Sequence, residues 1–232
     1  MKVNKVVIAG VDHTCDIKEL EQLKKTYPFI EWGVLLSKHN QGKLRYPNYD
    51  WVREFLSSET GGMSAHLCGG YPRDMFEGGD YIYLESLHKK FSAVQMNYNF
   101  LKTQGKWRLL NVVRFLRKCN ELGLNIIFQN HKDNEPMVDM FEMWDDFRSL
   151  NDASGGNGKL IADLPKPKKC YTGYAGGINP DNVEDIINRL QAMEPKDNVW
   201  IDLESGVRDK TNNYFDMDKC KLLLERSAKL IN

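Results

Sequence analysis

The sequence predicts a (β/α)8 barrel, the TIM-barrel fold, in a single domain that covers residues 1–232. Eight short apolar segments alternate with segments of helical periodicity, which is typical of a parallel sheet with crossover helices. The apolar segments are continuous, as expected for strands covered on both faces. Eight such units in 232 residues suit this barrel. A doubly wound open sheet is the alternative, but it more often has roughly five to seven strands.

The eight predicted strands are short and are bounded by glycine or polar residues. The first is the run Val6-Val-Ile-Ala9, which ends at Gly10. The sixth has the weakest pattern and leads to Asn151 and Asp152. The predicted strands are residues 5–10, 30–36, 63–67, 92–96, 124–129, 147–150, 169–175 and 199–203. Strands of this length are usual in globular proteins.

Helical spacing of apolar residues fills most of the segments between these strands. Five helices are predicted at residues 17–27, 49–56, 107–122, 135–143 and 216–231. A sixth follows Asn179, which is a suitable N-cap before Pro180, and carries apolar residues at i, i+3, i+4 and i+7 from Val183. Gly123 is the expected C′ residue of the 107–122 helix. Residues 71–90 are ambiguous, and we expect helix in their second half.

Composition narrows the classes of partner and site. Lys and Arg number 32, as do Asp and Glu, so no basic surplus indicates binding to nucleic acid or to a membrane surface. Five scattered cysteines without a CxxC pair, and five dispersed histidines, predict reduced thiols and no metal site. No feature calls for a cofactor. We expect a cytoplasmic monomer or homodimer without a membrane segment.

Two glycine-bearing loops follow predicted strands seven and eight. Gly176 and Gly177 precede the helix after Asn179, and Ser205 and Gly206 follow the last strand. In (β/α)8 barrels these two loops frequently hold a phosphate group, because glycine lets an anion approach backbone N–H groups. The alternative is that small residues only close tight turns. Given a barrel, we expect the loops to be neighbours and to bind phosphate.

Asp152 ends the sixth predicted strand, immediately before a second glycine-rich loop at 155–158. A carboxyl group at the carboxyl end of a barrel strand can act as a general acid or base if its pKa is raised. Ordinary turn chemistry also places Asn and Asp before Ser-Gly-Gly, and spacing alone favours that interpretation.

Three ordered motifs resemble the phosphoribosylanthranilate isomerase family of tryptophan biosynthesis. They are Leu150–Asp152 with the loop 155–158, Ala175–Val183, and Asp202–Val207. The family has an Asp before a Gly-Gly-Thr-Gly-like loop, then Gly-Gly-x-x-Pro-Glu-Asn-Val, then Asp-x-Ser-Ser-Gly-Val. The similarity is good over residues 150–207. Earlier in the chain only short elements such as Arg45-Tyr46 and Val94–Met96 are similar.

This resemblance implies an isomerase that converts a phosphorylated aminoaldose into an aminoketose by an Amadori rearrangement. It implies that Asp152 is the general acid, that Arg45 is an electrostatic partner of the substrate and that Asp202 is a polar group of the pocket. The implied phosphate and substrate contacts are Gly156, Gly158, Gly176, Gly177, Asp202, Ser205 and Gly206. The implied ligand is a small phosphorylated sugar.

The catalytic base of the family is missing. The family keeps a cysteine at the end of strand one, where this chain has Ala9, and a methyl group cannot remove a proton. Nearby candidates for a relocated base are Asp12, His13, Cys15, His66 and Cys68, of which His13 and Cys68 are retained as candidate catalytic residues. Each also has a purely structural explanation. The sequence therefore leaves two functions open: an isomerase of a phosphorylated sugar with altered chemistry, and a barrel that binds a phosphorylated ligand without turnover.

Overall fold

The fold is a closed barrel of eight parallel strands in chain order, as the sequence predicts. The structure is a computed structural model, and it describes residues 1–152, 163–194, 197–211 and 213–231. The last strand pairs with the first in parallel register, with Val6 opposite Ile201. An open sheet has no such pair, so the doubly wound alternative is wrong.

The eight strands agree with the predicted segments to within a few residues. They are β1 Lys2–Ala9, β2 Ile30–Ser37, β3 Met63–Cys68, β4 Ala93–Asn97, β5 Asn125–Asn130, β6 Phe147–Asp152, β7 Tyr171–Ala175 and β8 Asn198–Leu203. The largest difference at a start is in β1, which begins at Lys2 and not at Lys5. β6 includes Asp152 as its last residue, which places that carboxyl on the strand itself.

Eight α-helices lie in the described part of the chain. They are α1 Ile17–Thr26, α2 Tyr49–Ser57, α3 Gly70–Arg73, α4 Ile82–Leu87, α5 Leu109–Glu121, α6 Glu135–Phe141, α7 Val183–Gln191 and α8 Met217–Ala228. The ambiguous segment 71–90 is helical in both halves, because a π-helical turn at Asp74–Gly78 continues from α3. Gly123, with φ of +67°, follows α5 as the predicted C′ residue.

Side-chain caps explain where several helices start. Asp16 accepts a hydrogen bond from the Lys18 N–H at the start of α1. Asn48 does the same for the Trp51 N–H at α2, and Asp216 for the Lys219 N–H at α8. Each cap satisfies an N–H group that lacks a partner within its helix. The caps therefore fix the points at which the chain leaves each loop and packs against the barrel.

The barrel interior is a packed core. A small cluster of inward-facing side chains fills it, and its buried members are Val7, Ala93, Ile127, Leu150 and Trp200. The indole of Trp200 is fully buried and occupies space that any side chain at Gly173 would need. A Cβ built on Gly173 would lie 2.1 Å from Cε2 of Trp200. Gly173 on β7 has no side chain and therefore leaves room for Trp200, the largest side chain of β8.

All five cysteines lie in described segments and are free thiols. Within the described residues, no helix combines the length and apolar character needed to cross a lipid bilayer.

Gly173→Ala is expected to lower the free energy of unfolding by about 1–3 kcal/mol, because overpacking a tight core forces side chains out of their rotamers. Urea denaturation monitored by circular dichroism measures the change. Gly78→Ala is the matched control, since a Cβ there meets no atom within 4 Å. A Gly173→Ala protein as stable as the control would contradict the described packing around Trp200.

Candidate active site

A cleft of about 460 Å³ opens at the carboxyl ends of the strands. This is the end at which (β/α)8 enzymes carry their active sites. The sequence-predicted residues that line it are Ala9, Arg45, His66, Cys68, Asp152, Gly176, Gly177, Asp202 and Ser205. Polar residues that the sequence analysis did not single out also line it, among them Asn99, Lys102, Gln129 and His131.

The two glycine-bearing loops are neighbours, as expected. A Cβ built on Gly206 would lie 1.9 Å from the carbonyl oxygen of Ile178, so the β7 loop passes directly against the β8 loop at a position that only glycine permits. Gly176 and Gly177 have φ angles of +120° and +63°, in the region that glycine alone adopts easily. Gly206 does not itself border the cleft, and its observed role is to allow this close approach.

Two asparagines fix the direction of a peptide group in the β7 loop. The side-chain amides of Asn179 and Asn182 both donate to the carbonyl oxygen of Gly177, at 3.1 and 2.9 Å. The C=O and N–H of a trans peptide point in opposite directions, so this pair also orients the Ile178 N–H. That N–H donates to no acceptor among the described residues, and Ile178 borders the cleft. It is thus available to an anion.

The predicted N-cap contacts of Asn179 are present, although the regular helix α7 begins only at Val183, with Asn182 directly before it. The Asn179 side chain accepts a hydrogen bond from the Asp181 N–H at 2.8 Å, and its carbonyl oxygen accepts one from the Val183 N–H at 3.1 Å. In return, the Asn179 N–H donates to Oδ1 of Asn182 at 2.9 Å. The predicted contacts Gly156 and Gly158 lie outside the described residues.

Asp152 and Asp202 lie at one level of the barrel. Ala175 of β7 is the register partner of Asp152 on β6 and also of Asp202 on β8. Two strand spacings therefore separate their backbones, about 9–10 Å, with only a methyl group between them. Both residues are buried and both line the cleft. The register thus places two carboxyl groups on either side of the β7 end, next to the glycine loops.

Asp202 is a carboxyl group whose pKa is raised by its surroundings. Burial raises its pKa well above the usual range, and the negative charges of Glu31, Asp152 and Glu204 raise it further, against the attraction of Lys5. Its Oδ2 atom is buried and has no hydrogen-bond partner among the described residues. The sequence analysis gave Asp202 only as a polar group of the pocket, because its burial depends on the barrel as a whole.

His131 is a cleft residue that the sequence analysis missed. It follows β5 directly, and its Nδ1 accepts a hydrogen bond from the Asp133 N–H at 3.3 Å. Burial lowers its pKa, against the charges of Asp133 and Asp152, so the imidazole is neutral at pH 7. With Nδ1 as the acceptor, Nε2 carries the hydrogen and can donate to a ligand oxygen. The only sequence signal for it was its place two residues beyond the predicted strand 124–129.

Arg45 borders the cleft but is already paired. Its Nε donates to Oε1 of Glu204 at 2.7 Å, and its Nη2 contacts the same oxygen. Its φ angle of +73° is unusual for a residue other than glycine. Its backbone N–H donates to Oδ2 of Asp12 at 2.9 Å. Arg45, the expected electrostatic partner of the substrate, is therefore already neutralised by its ion pair with Glu204.

The most deeply buried ion pair of the site joins Asp12 and Arg208. The sequence analysis assigned no role to Arg208. Nη2 of Arg208 lies 3.2 Å from Oδ2 of Asp12, and both side chains are fully buried. Arg208 also donates to the carbonyl oxygens of Gly10 and Asn213, at 2.8 and 2.6 Å. Burial opposes the charge of Asp12, but hydrogen bonds from Thr14, Arg45 and Arg208 hold its pKa below the usual value. The pair links the loops after β1, β2 and β8.

Neither His13 nor Cys15 reaches the cleft. Asp12 is drawn into the pair with Arg208, and Thr14 donates to the same carboxylate through its N–H and hydroxyl groups. This turn carries the following residues away from the barrel mouth. Cys15 packs in the outer core, and burial raises its pKa to about 12. The structure therefore gives no support to a base at either position.

Cys68 and His66 do line the cleft, but their environments suppress basicity at neutral pH. Burial raises the pKa of the Cys68 thiol to about 11, although Asn97 donates to its sulfur at 3.1 Å. Burial lowers the pKa of His66 to about 4, and its Nε2 lies 3.1 Å from the Ser64 hydroxyl. Cys68 is thus a neutral thiol and His66 a neutral imidazole. Ala9 borders the same cleft and provides no functional group.

Among residues 1–152, 163–194, 197–211 and 213–231, no three His, Cys, Asp or Glu side chains converge in a way that would hold a metal ion.

Known proteins resemble this chain in structure only. No family model matches it, and no curated protein matches it. A monomeric form of dimeric phosphoribosylanthranilate isomerase from Thermotoga maritima is 16% identical, with a TM-score of 0.62 over 98% of this chain and 100% of that one. 3-Hexulose-6-phosphate synthase from Salmonella typhimurium is 12% identical, with a TM-score of 0.51 over 97% and 99%. The tryptophan synthase α-subunit from Pyrococcus furiosus is 10% identical, with a TM-score of 0.52 over 96% and 98%.

These similarities establish the fold. At 10–16% identity they do not assign the chain to a family or to an activity.

Asp202→Asn is expected to flatten the pH dependence of stability above about pH 4. The folded protein keeps a proton on Asp202 that the unfolded chain releases. The free energy of unfolding therefore falls as the pH rises towards the folded pKa, by up to about 1.4 kcal/mol per pH unit. The variant has no such proton, so it should gain stability relative to the wild type as the pH rises.

Urea denaturation across this pH range measures the slope. Asp209→Asn is the control, because Asp209 is an exposed carboxyl whose pKa is lowered by a hydrogen bond from Thr211. The Asp209→Asn variant should show the same fall in the free energy of unfolding with rising pH as the wild type. An Asp202→Asn protein with the wild-type slope would show that Asp202 is ionised in the folded state.

Proposed function

We propose that this protein is an isomerase that moves a carbonyl group between adjacent carbons of a small phosphorylated sugar. The observation that carries the proposal is the pair Asp152 and Asp202, two buried carboxyl groups at one barrel level beside the glycine loops. Isomerisation requires one group that removes a proton from carbon and another that delivers a proton to oxygen. Two carboxyl groups that flank the same strand end can supply one group for each transfer.

The phosphate group is assigned to the loops after β7 and β8. The Ile178 N–H, oriented by Asn179 and Asn182, and the Ser205 hydroxyl supply donors at the edge of the cleft. Gly176 and Gly177 let the anion come close to the backbone. The names of two structural relatives, 3-hexulose-6-phosphate synthase and phosphoribosylanthranilate isomerase, are consistent with a phosphorylated sugar as ligand.

The division of roles differs from the one that the family resemblance implies. Burial raises the pKa of Asp202, which favours it as the general acid for the substrate oxygen. Asp152 then acts as the base that removes the proton from carbon. The neutral His131, with its Nε2–H, donates to the oxygen on which negative charge develops. In this scheme the missing cysteine at Ala9 is replaced by a carboxylate from another strand.

A second function rests on the same residues. Ala9 borders the cleft where the resembling enzymes carry their base, and Arg45 is held by Glu204. These two observations favour a barrel that binds a phosphorylated sugar without turnover, as a sensor or as a subunit of a complex. The two functions share the phosphate site and differ in whether Asp152 and Asp202 perform chemistry.

Turnover separates these functions. Purified wild-type protein should isomerise phosphoribosylanthranilate or another aldose phosphate, followed by fluorescence or by NMR of the sugar protons. Asp152→Asn and Asp202→Asn should each lower kcat by about 10²–10⁴-fold, because each removes one proton-transfer group. Asp50→Asn, an exposed carboxyl on α2, is the control and should retain full activity. Binding of these sugars without turnover by the wild type would favour the second function.

The phosphate site has its own test. Ser205→Ala should weaken binding of ribose 5-phosphate by about tenfold or more, because it removes one hydrogen bond to a charged group. Isothermal titration calorimetry measures the change, with ribose as the ligand that lacks the phosphate. Ser57→Ala removes an exposed hydroxyl on α2 and is the control. Equal affinity of the Ser205→Ala protein and the wild type would remove Ser205 from the site.

A further inference from the structure

A second cavity, of about 350 Å³, lies at the opposite end of the barrel. Its walls include Lys5, Arg148 and Tyr171, each four residues before a residue of the cleft on the same strand: Ala9, Asp152 and Ala175, respectively. Four residues of strand span about 13 Å, so the two openings are separate. The amino-terminal end of a (β/α)8 barrel usually serves stability.

This cavity carries more positive than negative charge. Lys5, Lys24 and Arg148 line it, against the single carboxylate of Glu31. Lys5 donates to Oε2 of Glu31 at 3.0 Å, and the two side chains are 15% and 8% exposed. Lys24 donates to the carbonyl oxygens of Pro28 and Ile30. One carboxylate therefore faces three cations.

Arg148 is the least satisfied of the three cations. Its guanidinium forms no hydrogen bond and no ion pair with the residues that the structure describes, and its one contact of note is with the Tyr171 ring, 5.3 Å from the ring centroid. Glu31 is near enough to act on its charge but is not bonded to it, and Oε1 of Glu31 is itself buried without a described partner. Asp146 acts on it more weakly. A half-buried guanidinium with five unused donors normally has an acceptor.

The aromatic rings of Tyr171 and Trp200 hold the cations in place. The ammonium of Lys5 lies 5.7 Å from the Tyr171 ring and 5.2 Å from the Trp200 ring. Among the described residues Lys5 donates to Glu31 only, which leaves it further donors, and Arg148 lines the cavity beside the Tyr171 ring. Burial lowers the pKa values of Lys5 and Arg148, and Arg148 lowers that of Lys5 further. A bound negative charge would relieve both effects.

We propose that the amino-terminal end of the barrel binds a small anion, through a phosphate or carboxylate group held by Arg148 and Lys5 with Lys24 at the rim. The planar fork of Arg148 matches two oxygens of such a group, and the Lys5 ammonium adds a point charge beside it. The site is distinct from the proposed active site and does not depend on the isomerase proposal.

Selenate, a tetrahedral dianion visible by anomalous scattering, is the direct probe. Crystals soaked in selenate should show an anomalous peak within hydrogen-bond distance of the Arg148 guanidinium. In solution, phosphate and citrate at constant ionic strength should raise the Tm, and their relative effects distinguish a phosphoryl from a carboxylate ligand. Arg148→Gln should weaken binding at this site at least tenfold and abolish the peak there. It should still fold, because Arg148 forms no hydrogen bond with the described chain.

Two further variants of this protein serve as controls. Ser205→Ala acts only at the opposite opening, so it should keep the peak at Arg148 even if the phosphate site of the active-site cleft proves wrong. Arg53→Gln replaces an exposed arginine of α2 and should behave as the wild type. The proposal is overturned if wild-type crystals show no anion at Arg148, or if Arg148 is bonded to Glu31 and Arg148→Gln leaves the anion-dependent Tm unchanged.

Discussion

The buried ion pair between Asp12 and Arg208 is the interaction on which the carboxyl end of the barrel depends. It joins residues 196 positions apart and fixes three loops at once, through Asp12, the Arg45 N–H and the Gly10 carbonyl. Breaking a buried pair leaves an uncompensated charge, at a cost of about 3–5 kcal/mol, although an apolar replacement of both partners is often tolerated. We therefore infer that the pair has a positioning role: it fixes the place at which Arg45 and Glu204 meet at the edge of the cleft.

The small size of a few residues is the second constraint, because it leaves space for larger or polar side chains in the barrel interior. Gly173 makes room for Trp200, and Ala175 leaves Asp152 and Asp202 without a side chain between them. A Cβ on Gly33 would meet both Ala9 and Nε2 of His66, within 3 Å of each. The space next to Ala9 is thus taken by a neutral imidazole. Ala9 at the end of β1 and the two carboxyl groups at the ends of β6 and β8 are therefore parts of the same packed interior.

Much of the fold was predictable, because strands buried on both faces are continuous apolar runs and their alternation with helices admits few topologies. The contact between the glycine loops followed from the same topology. The pairing of Arg45 with Glu204, 159 positions away, did not, since a sequence pattern does not identify the partner of a charge. The protonation of Asp202 was also out of reach, because it arises from burial by the whole barrel. His131 was missed because no spacing marked it.

The two ends of the barrel are electrostatically connected through the layer of Trp200. Lys5 attracts the negative form of Asp202 and lowers its pKa, while Glu31 repels that form and raises it. These two charges are paired at 3.0 Å, so they oppose each other and leave burial to decide the protonation of Asp202. An anion bound beside Lys5 and Arg148 would add negative charge beneath the core and would strengthen the hold of Asp202 on its proton. An anion at the amino-terminal end of the barrel would then change the pKa of Asp202 at the carboxyl end without any movement of the backbone.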